Sequence, residues 1–378
     1  GAGPVSGGGQ RAPGARGADG DLVGTVRGRG PLGQPRFDQA VAPGGYLWWY
    51  LDALSDDGQH GLSLIAFVGS VFSPYYAWAR RKGPGNPDDH NALNVALYSP
   101  GAKRWSMTER GAPHCHRAQD HFTIGPSRLH WDGHALNIDI DEVGVPLPRR
   151  IRGTVRVVPE RLFHFSTALD TQGRHHWGPL APAARIEVDL QHPALRWSGH
   201  AYLDSNEGSE PVDRAFQEWD WSRSPLADGS TAVIYDVEPG QAHGRRLALR
   251  FHPDGSVTEF EAPPLQRLAR TGWRLPRRMR SDGPVSVVQQ LEDTPFYQRA
   301  VLRCQLLGLG AWGSLKYMLH AVSGRWLTAR QLGRGLNSRF DIDLPLHIMA
   351  DGRKNMAMEP ASIMTDCWAL FRRADGRR

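Results

Sequence analysis

The chain has 378 residues, of which 40% are apolar and 22% are charged, and its formal net charge is +6. At roughly 100 to 200 residues per domain, this length predicts two domains. The apolar runs are too short to span a bilayer and the positive charge is too diffuse for a dedicated nucleic-acid binder, so a polytopic membrane protein and a DNA- or RNA-binding protein are excluded.

The first 45 residues contain 14 glycines and five prolines, and almost no large apolar side chain precedes Tyr46. Such a segment cannot bury enough apolar surface to offset the entropy that it would lose on ordering. We therefore predict that residues 1–45 are disordered.

From Tyr46 onward, short alternating runs are separated by turn residues about every ten positions, which is typical of an all-β protein. Asp132-Gly133 and Pro253-Asp254-Gly255 each separate two such runs and predict hairpins. The strongest helical pattern covers residues 296–319, although its glycines oppose a helix. No long repeat is present, so two closed or nearly closed barrels are favoured over a propeller or solenoid. The last residues, from Asp351, predict an irregular tail.

Two segments concentrate polar and aromatic side chains, HHWGP at 175–179 and WSGHAYLDSNEG at 197–208. On an extended strand, residues two apart share a face, so His175 pairs with Trp177, and Tyr202 pairs with Asp204. If the two strands are neighbours, one pocket contains an imidazole, an indole, a phenol and a carboxyl group. A carboxyl group in such a dry pocket has a raised pKa and can act as a neutral acid.

A purely structural role is the main alternative for these residues. Tyr and Trp on strands usually belong to the core, and an Asp beside Ser and Asn usually holds a turn. A second alternative is a metal site, formed by His114, His116 and His121 with Asp120 and Cys115. Because Pro113 and polar neighbours indicate a surface loop there, we expect no metal. Glycine-rich phosphate loops and serine nucleophile elbows are absent from the sequence.

Several ordered blocks of the chain resemble the carotenoid 1,2-hydratases, also called hydroxyneurosporene synthases. Beyond the two segments above, the matching blocks are IAFVGSVFSPYYAWAR at 65–80, NALNVALY at 91–98, MTERG at 107–111, PLPRR at 146–150 and WDWSR at 219–223. Together they cover about residues 46–320. In this chain, His200 and Ala201 stand where the family usually has glycine.

The resemblance implies an all-β fold of two lipocalin-like β-barrel domains, which we place at residues 46–207 and 208–345, with an irregular tail at 346–378. It implies addition of water to the terminal C1=C2 double bond of acyclic carotenoids such as neurosporene and lycopene, without a cofactor. A barrel interior can hold such an elongated ligand.

The chemistry of this reaction assigns roles to the four candidate residues. Asp204 is expected to be the acid, Tyr202 its partner or relay, Trp177 the face that stabilises a carbocation, and His175 the base for water. The roles of Asp204 and His175 could be exchanged, and His176 and Glu207 are reserves. Four further aromatic residues are expected to bind substrate: Trp197, Trp219, Trp221 and Tyr75.

Two other functions fit the same features. A non-catalytic barrel that carries isoprenoid lipids needs a pocket but no acid. A carbohydrate-binding protein could use the 13 tryptophans to stack on sugar rings.

Location is predicted from the cysteines and from the apolar substrate. Cys115, Cys304 and Cys367 are widely spaced and odd in number, which indicates reduced thiols. We expect a protein of the bacterial cytoplasm that contacts the inner or photosynthetic membrane from one side. The apolar segment 306–312, between Arg303 and Lys316, is the candidate for this contact, with a buried segment of the second barrel as the alternative.

Overall fold

A computed structural model of the chain describes residues 28–30, 32–239, 245–272, 275–293 and 297–319. Side chains are not described at positions 217, 218, 238 and 239 or along 309–319. The predictions for residues 1–27 and for the tail at 346–378 lie outside the described residues.

Twelve of the described strands form one large, nearly closed, barrel-like sheet. All of its pairings are antiparallel, and an isolated bridge between Trp105 and Val145 brings its first edge strand near the end of β8. The strands are β1 (Tyr46–Ser55), β2 (Gly61–Val68), β3 (Asn91–Tyr98), β4 (Arg104–Arg110), β5 (Cys115–Arg117), β6 (His121–Ile124), β7 (Ser127–Trp131), β8 (Leu136–Val143), β9 (Arg150–Pro159), β10 (Thr167–Ala168), β11 (His175–His192) and β12 (Ala194–Gly208).

Seven further strands form a second antiparallel sheet, and a separate two-stranded hairpin lies against it. The second sheet contains β13 (Phe216–Pro225), β14 (Thr231–Pro239), β15 (Arg246–Phe251), β16 (Val257–Glu259), β19 (Ser286–Asp293), β20 (Tyr297–Leu306) and β21 (Leu309–Leu319), and the hairpin is β17 (Leu265–Leu268) with β18 (Arg277–Arg280). Two α-helices, α1 (Pro74–Lys82) and α2 (Val212–Ala215), and two 3-10 turns, Pro87–His90 and Ala112–His114, connect strands. No helix of the described ranges is long and apolar enough to cross a bilayer.

Alternation along the strands produces three apolar layers. Inward-facing side chains such as Leu51 and Leu203 fill the interior of the first sheet. The outer face of the same sheet packs against the second sheet through residues such as Tyr202 and Trp221. The other face of the second sheet packs on the hairpin of β17 and β18, where Met279 is buried. The all-β prediction is confirmed in the described residues, whereas the division at residue 207 into two barrel domains stays a prediction.

The prediction of disorder is wrong for the described part of the N-terminal segment. Phe37 is fully buried, with its ring centroid 4.7 Å from that of Trp49. Arg29 is 5% exposed and donates a hydrogen bond to the carbonyl oxygen of Phe165 at 2.5 Å. The composition of the segment as a whole is rich in glycine, but Phe37 and Arg29 bind it to the first sheet.

The helical pattern over 296–319 is also wrong for its described residues, since 297–319 form the hairpin of β20 and β21. Leu307 and Gly308 make the turn with φ values of 57° and 70°. This left-handed backbone conformation is easy for glycine and incompatible with a continuous right-handed helix.

A candidate active site between the two sheets

Strand β12 has two faces that serve different parts of the molecule. Ala201 and Leu203 belong to the core inside the first sheet. Tyr202, Asp204 and Asn206 point the opposite way, toward the second sheet, and each is 5% exposed or less. The predicted acid therefore lies between the two sheets and not inside a barrel.

Both oxygens of the Asp204 carboxyl group have partners. The indole Nε1 of Trp177 donates to Oδ2 at 2.9 Å, and the Tyr202 hydroxyl donates to the same oxygen at 2.8 Å. Nδ2 of Asn206 donates to Oδ1 at 3.2 Å. Because Oδ2 already accepts two hydrogen bonds, a proton on neutral Asp204 belongs on Oδ1.

Burial raises the pKa of Asp204 from its usual 3.8 to about 7. Burial removes the water that would solvate the charged form, and this effect raises the pKa. Hydrogen bonds from Trp177 and Tyr202 and the charge of Arg29 lower the pKa by a smaller amount. At neutral pH, Asp204 is therefore near its midpoint and can both give and take a proton.

His175 is also fully buried, on the same face of the first sheet. Its Nδ1 lies 2.8 Å from the hydroxyl of Tyr46, and its Nε2 lies 3.5 Å from Oε1 of Glu210. The Glu210 carboxylate can only accept a hydrogen bond, so we assign the ring proton of His175 to Nε2. The Tyr46 hydroxyl then donates a hydrogen bond to Nδ1. Burial lowers the pKa of His175, although the charges of Asp170 and Glu210 oppose this effect.

His175 and Asp204 share a face but do not touch. His175 is paired with Gly208, and Trp177 with Asn206. Gly208 and Asp204 are four residues apart on β12, which is about 13 Å along the strand. In place of the predicted single pocket, the structure has an elongated row of buried side chains between the sheets, with the Trp177 and Asn206 pair in its middle.

Gly208 is required where β12 passes beneath the Tyr46 and His175 pair. A Cβ atom at this position would lie 2.7 Å from Nδ1 of His175 and would overlap the Tyr46 ring. The absence of a side chain therefore allows the two rings to meet.

The second sheet contributes two of the predicted aromatic residues to the same layer. The ring centroid of Trp221 lies 4.9 Å from that of Tyr202. Trp219 packs edge-on against Phe216, at 6.2 Å between centroids, and Phe216 in turn contacts the His175 ring at 4.8 Å. Trp221 thus contacts Tyr202, the partner of the acid, and Trp219 contacts Phe216, the neighbour of the imidazole.

The structure does not bring the other two predicted aromatic residues to Asp204. Trp197 is an odd-numbered residue of β12, so its side chain enters the core inside the first sheet, where it stacks on His60 at 6.4 Å. Tyr75 lies half-buried on α1, near Glu109. The sequence pattern grouped Trp197 with Asp204 only because the two are close in the chain.

His176 and Glu207, the predicted reserves, are paired opposite each other on β11 and β12. Their side chains alternate with those of His175, Trp177 and Asp204 and point to the other face of the sheet.

Of the candidate metal ligands, His116, His121 and Asp120 lie together at the surface, whereas Cys115 packs against the core of the first sheet. Nδ1 of His116 lies 3.1 Å from Nε2 of His121, whose Nδ1 faces Asp120 at 2.9 Å. Within the described ranges, no three His, Cys, Asp or Glu side chains are arranged to hold a metal ion.

Two residues of this candidate site, Tyr46 and Asn206, are not among the residues predicted from the two segments. Asn206 continues the period of Tyr202 and Asp204, so the same alternation could have identified it. Tyr46 gives no local signal, because it reaches His175 only through the pairing of β1 with β12, which matches Tyr46 with Gly208.

Comparison with known proteins gives consistent matches over most of the chain. A family model described as carotenoid hydratase CrtC matches residues 64–325. The acyclic carotenoid 1,2-hydratase of Rubrivivax gelatinosus is 61% identical over 313 residues, covering 81% of this chain and 77% of the relative. The protein of the same name from Thiocapsa roseopersicina is 54% identical over 311 residues, covering 82% and 76%.

Two solved structures share the fold at low sequence identity. A Nitrosomonas europaea protein assigned as AttH has a TM-score of 0.54 and 14% identity, covering 73% of this chain and 93% of its own. Kievitone hydratase from Nectria haematococca has a TM-score of 0.50 and 10% identity, covering 82% and 97%. These likenesses describe the fold alone.

Proposed function

The chain belongs to the carotenoid hydratase CrtC family, and on that premise we propose that it adds water to the terminal C1=C2 double bond of acyclic carotenoids such as neurosporene and lycopene. The observation that carries this proposal is the buried Asp204 carboxyl group, whose pKa is raised to about 7 beside aromatic rings. An isolated alkene is a weak base, so its hydration needs a proton donor held in a dry environment.

Asp204 is the acid of the proposed reaction. Trp177 and Tyr202 fix its Oδ2, and the proton on Oδ1 is transferred to C2 of the polyene. The two electrons of the double bond form the new C–H bond, and a tertiary cation remains at C1. The two donors then stabilise the carboxylate that the transfer leaves behind.

The aromatic layer supports the cationic intermediate. The Trp177 ring packs edge-on against Tyr235 at 5.5 Å, and Trp221 packs against Tyr202 at 4.9 Å. A ring face attracts a cation by about 2 kcal/mol when water is excluded. Trp177 thus acts both as a hydrogen-bond donor to the acid and as part of the cation's surroundings.

His175 is the base that accepts the proton of the attacking water. Its lowered pKa keeps the ring neutral near pH 7. The alkene gains a proton from Asp204 and a hydroxyl group from water, and no electrons are exchanged with another group. We therefore propose that the reaction needs no cofactor. Transfer of a proton from His175 to Asp204 through solvent restores the starting state.

The substrate site of this proposal lies between the sheets. The interior of the first sheet is filled by its own apolar side chains, whereas Asp204 faces the second sheet. Because Asp204 is 2% exposed and Trp177 is 1% exposed, the end of the polyene must displace side chains between the sheets in order to reach the acid.

Delivery of the substrate from a membrane, by a protein of the bacterial cytoplasm, stays a prediction from the sequence. In the segment 306–312, Leu306 is buried in the layer between the second sheet and the hairpin, which favours the alternative of an ordinary core segment for that residue. Co-sedimentation with anionic vesicles at low and high salt tests the membrane contact. Equal binding at both salt concentrations would contradict an electrostatic contact.

The proposed function is tested by incubating the purified full chain with lycopene in ¹⁸O-labelled water. We expect a product heavier by one water molecule, with the labelled oxygen on C1, in the presence of a chelator. A protein that binds lycopene and never releases a hydrated product would instead be a carrier of isoprenoid lipids.

A further inference from the structure

A small cavity of about 10 Å³ lies between the sheets, next to the row of buried side chains that contains Asp204 and His175. This volume is about enough for one water molecule. Its apolar walls include Leu169, Phe216 and Val237, and its polar lining comes from Tyr46, Asn206 and Tyr235. A cavity retains an ordered water when two to four polar groups face it, and Tyr46, Asn206 and Tyr235 each bring a polar side-chain group to this lining.

Asn206 has a buried oxygen without a partner. Its Nδ2 is used by Asp204, while its Oδ1 makes no hydrogen bond to any described residue, although the side chain is only 5% exposed. Leaving a buried carbonyl oxygen unpaired costs about 1–3 kcal/mol, so such an atom usually faces a bound water or a ligand.

Tyr46 connects the cavity to His175. Its ring lines the cavity, and its hydroxyl lies 2.8 Å from Nδ1 of His175. The other nitrogen of His175 faces Glu210 at 3.5 Å. A chain of polar groups therefore runs from the cavity through Tyr46 and His175 to Glu210.

We propose that Asn206 and Tyr46 hold the attacking water in this cavity, and that Tyr46 relays the proton of this water to His175. The inference rests on the proposed hydration, and it adds two residues and a water site to it. It also explains how His175 acts without touching Asp204, since the Trp177 and Asn206 pair lies between them.

The step is balanced in protons and electrons. A lone pair of the water oxygen forms the C–O bond at C1 and neutralises the cation. The water releases one proton to the Tyr46 oxygen while Tyr46 releases its own proton to Nδ1 of His175. The resulting imidazolium is stabilised by Glu210.

The test separates proton transfer from water addition. In D₂O, Asp204 carries a deuteron and transfers it to C2 of lycopene. If water does not capture the resulting cation at C1, C2 loses its original proton to the Asp204 carboxylate and the double bond forms again. The recovered lycopene then contains deuterium. We compare Asn206→Leu, which keeps a similar volume without the oxygen, with Tyr46→Phe, which removes only the relay hydroxyl. Tyr76→Phe, which removes a buried hydroxyl bound to the Gly45 carbonyl, is the matched control.

We expect hydration to fall about tenfold or more in both variants, while deuterium exchange into recovered lycopene persists or increases. Circular dichroism verifies that each variant is folded. Equal losses of exchange and hydration, or hydration at the wild-type rate in either folded variant, would overturn the inference. A wild type that neither exchanges nor hydrates would refute the proposed function itself, and the inference with it.

Discussion

Asp52 of β1 and Arg223 of β13 form a buried ion pair that joins the two sheets, with 2.8 Å between Oδ2 and Nε. Arg299 of β20 donates to the other oxygen of Asp52. The guanidinium of Arg223 also lies 5.9 Å from the centroid of the Tyr202 ring. The contact that holds the second sheet over the first is therefore next to the partner of the proposed acid.

Replacing Arg223 by methionine should destabilise the protein by about 3 kcal/mol, because a buried carboxylate loses one of its two cationic partners. Chemical denaturation measures the change. The control is Arg185→Met, which breaks an exposed ion pair with Asp56 and should cost less than about 1 kcal/mol. Similar losses in both variants would show that the sheets are held together in another way.

The Asp204→Asn variant should form product about 100-fold more slowly than the wild type or worse, because it keeps the size of the side chain but has no acidic proton. Lycopene turnover measures the loss. Asp139→Asn, on the exposed face of β8, should leave turnover unchanged. Normal turnover in the Asp204 variant would place the proton donor elsewhere.

The same substitution should stabilise the fold at alkaline pH. Folding raises the pKa of Asp204 from 3.8 to about 7, so between these values the folded protein retains a proton that the unfolded chain has released. The free energy of unfolding therefore falls as the pH rises through this window, and near pH 8 the buried charge costs about 4 kcal/mol. Calorimetry at pH 5 and pH 8 should show a gain in melting temperature for Asp204→Asn that is larger at pH 8. A loss at both values would contradict the raised pKa.

The pH profile of kcat/KM should depend on Tyr202. The active form of Asp204 is protonated, so the rate should decrease as the pH rises through about 7. Tyr202→Phe removes a donor that favours the carboxylate, so the pKa rises further and the descending limb should move to higher pH. A limb that stays in place would mean that another group controls it.

Gly208→Ala should reduce turnover about tenfold or more, because its Cβ would separate Tyr46 from His175. Since both rings are buried, this overpacking should also destabilise the fold by about 1–3 kcal/mol. Gly83→Ala is the control, since Gly83 has an extended φ of 171° and open space around its Cα. Wild-type turnover in the Gly208 variant would show that contact between the two rings is not needed.

Local periodicity predicted part of the site. The alternation of Tyr202 with Asp204, and of His175 with Trp177, follows from the two-residue repeat of a strand, and the structure places all four on one face. The facing sheet could not be predicted, because the contact of Asp52 with Arg223 joins positions 171 residues apart. Trp197 is close to Asp204 in the chain, but its odd-numbered position puts it on the opposite face of β12.

The alternation of side chains between the two faces of β12 also limits which insertions and deletions the strand tolerates. A three-base insertion between the codons of Trp197 and Tyr202 would shift every later side chain of the strand to the opposite face. Asp204 would then enter the apolar interior of the first sheet, and Leu203 would face Trp177 in its place. We therefore expect natural variants of this strand to differ by substitution and to keep its length, whereas the β17 and β18 hairpin, which lies away from the acid, is free to vary in length.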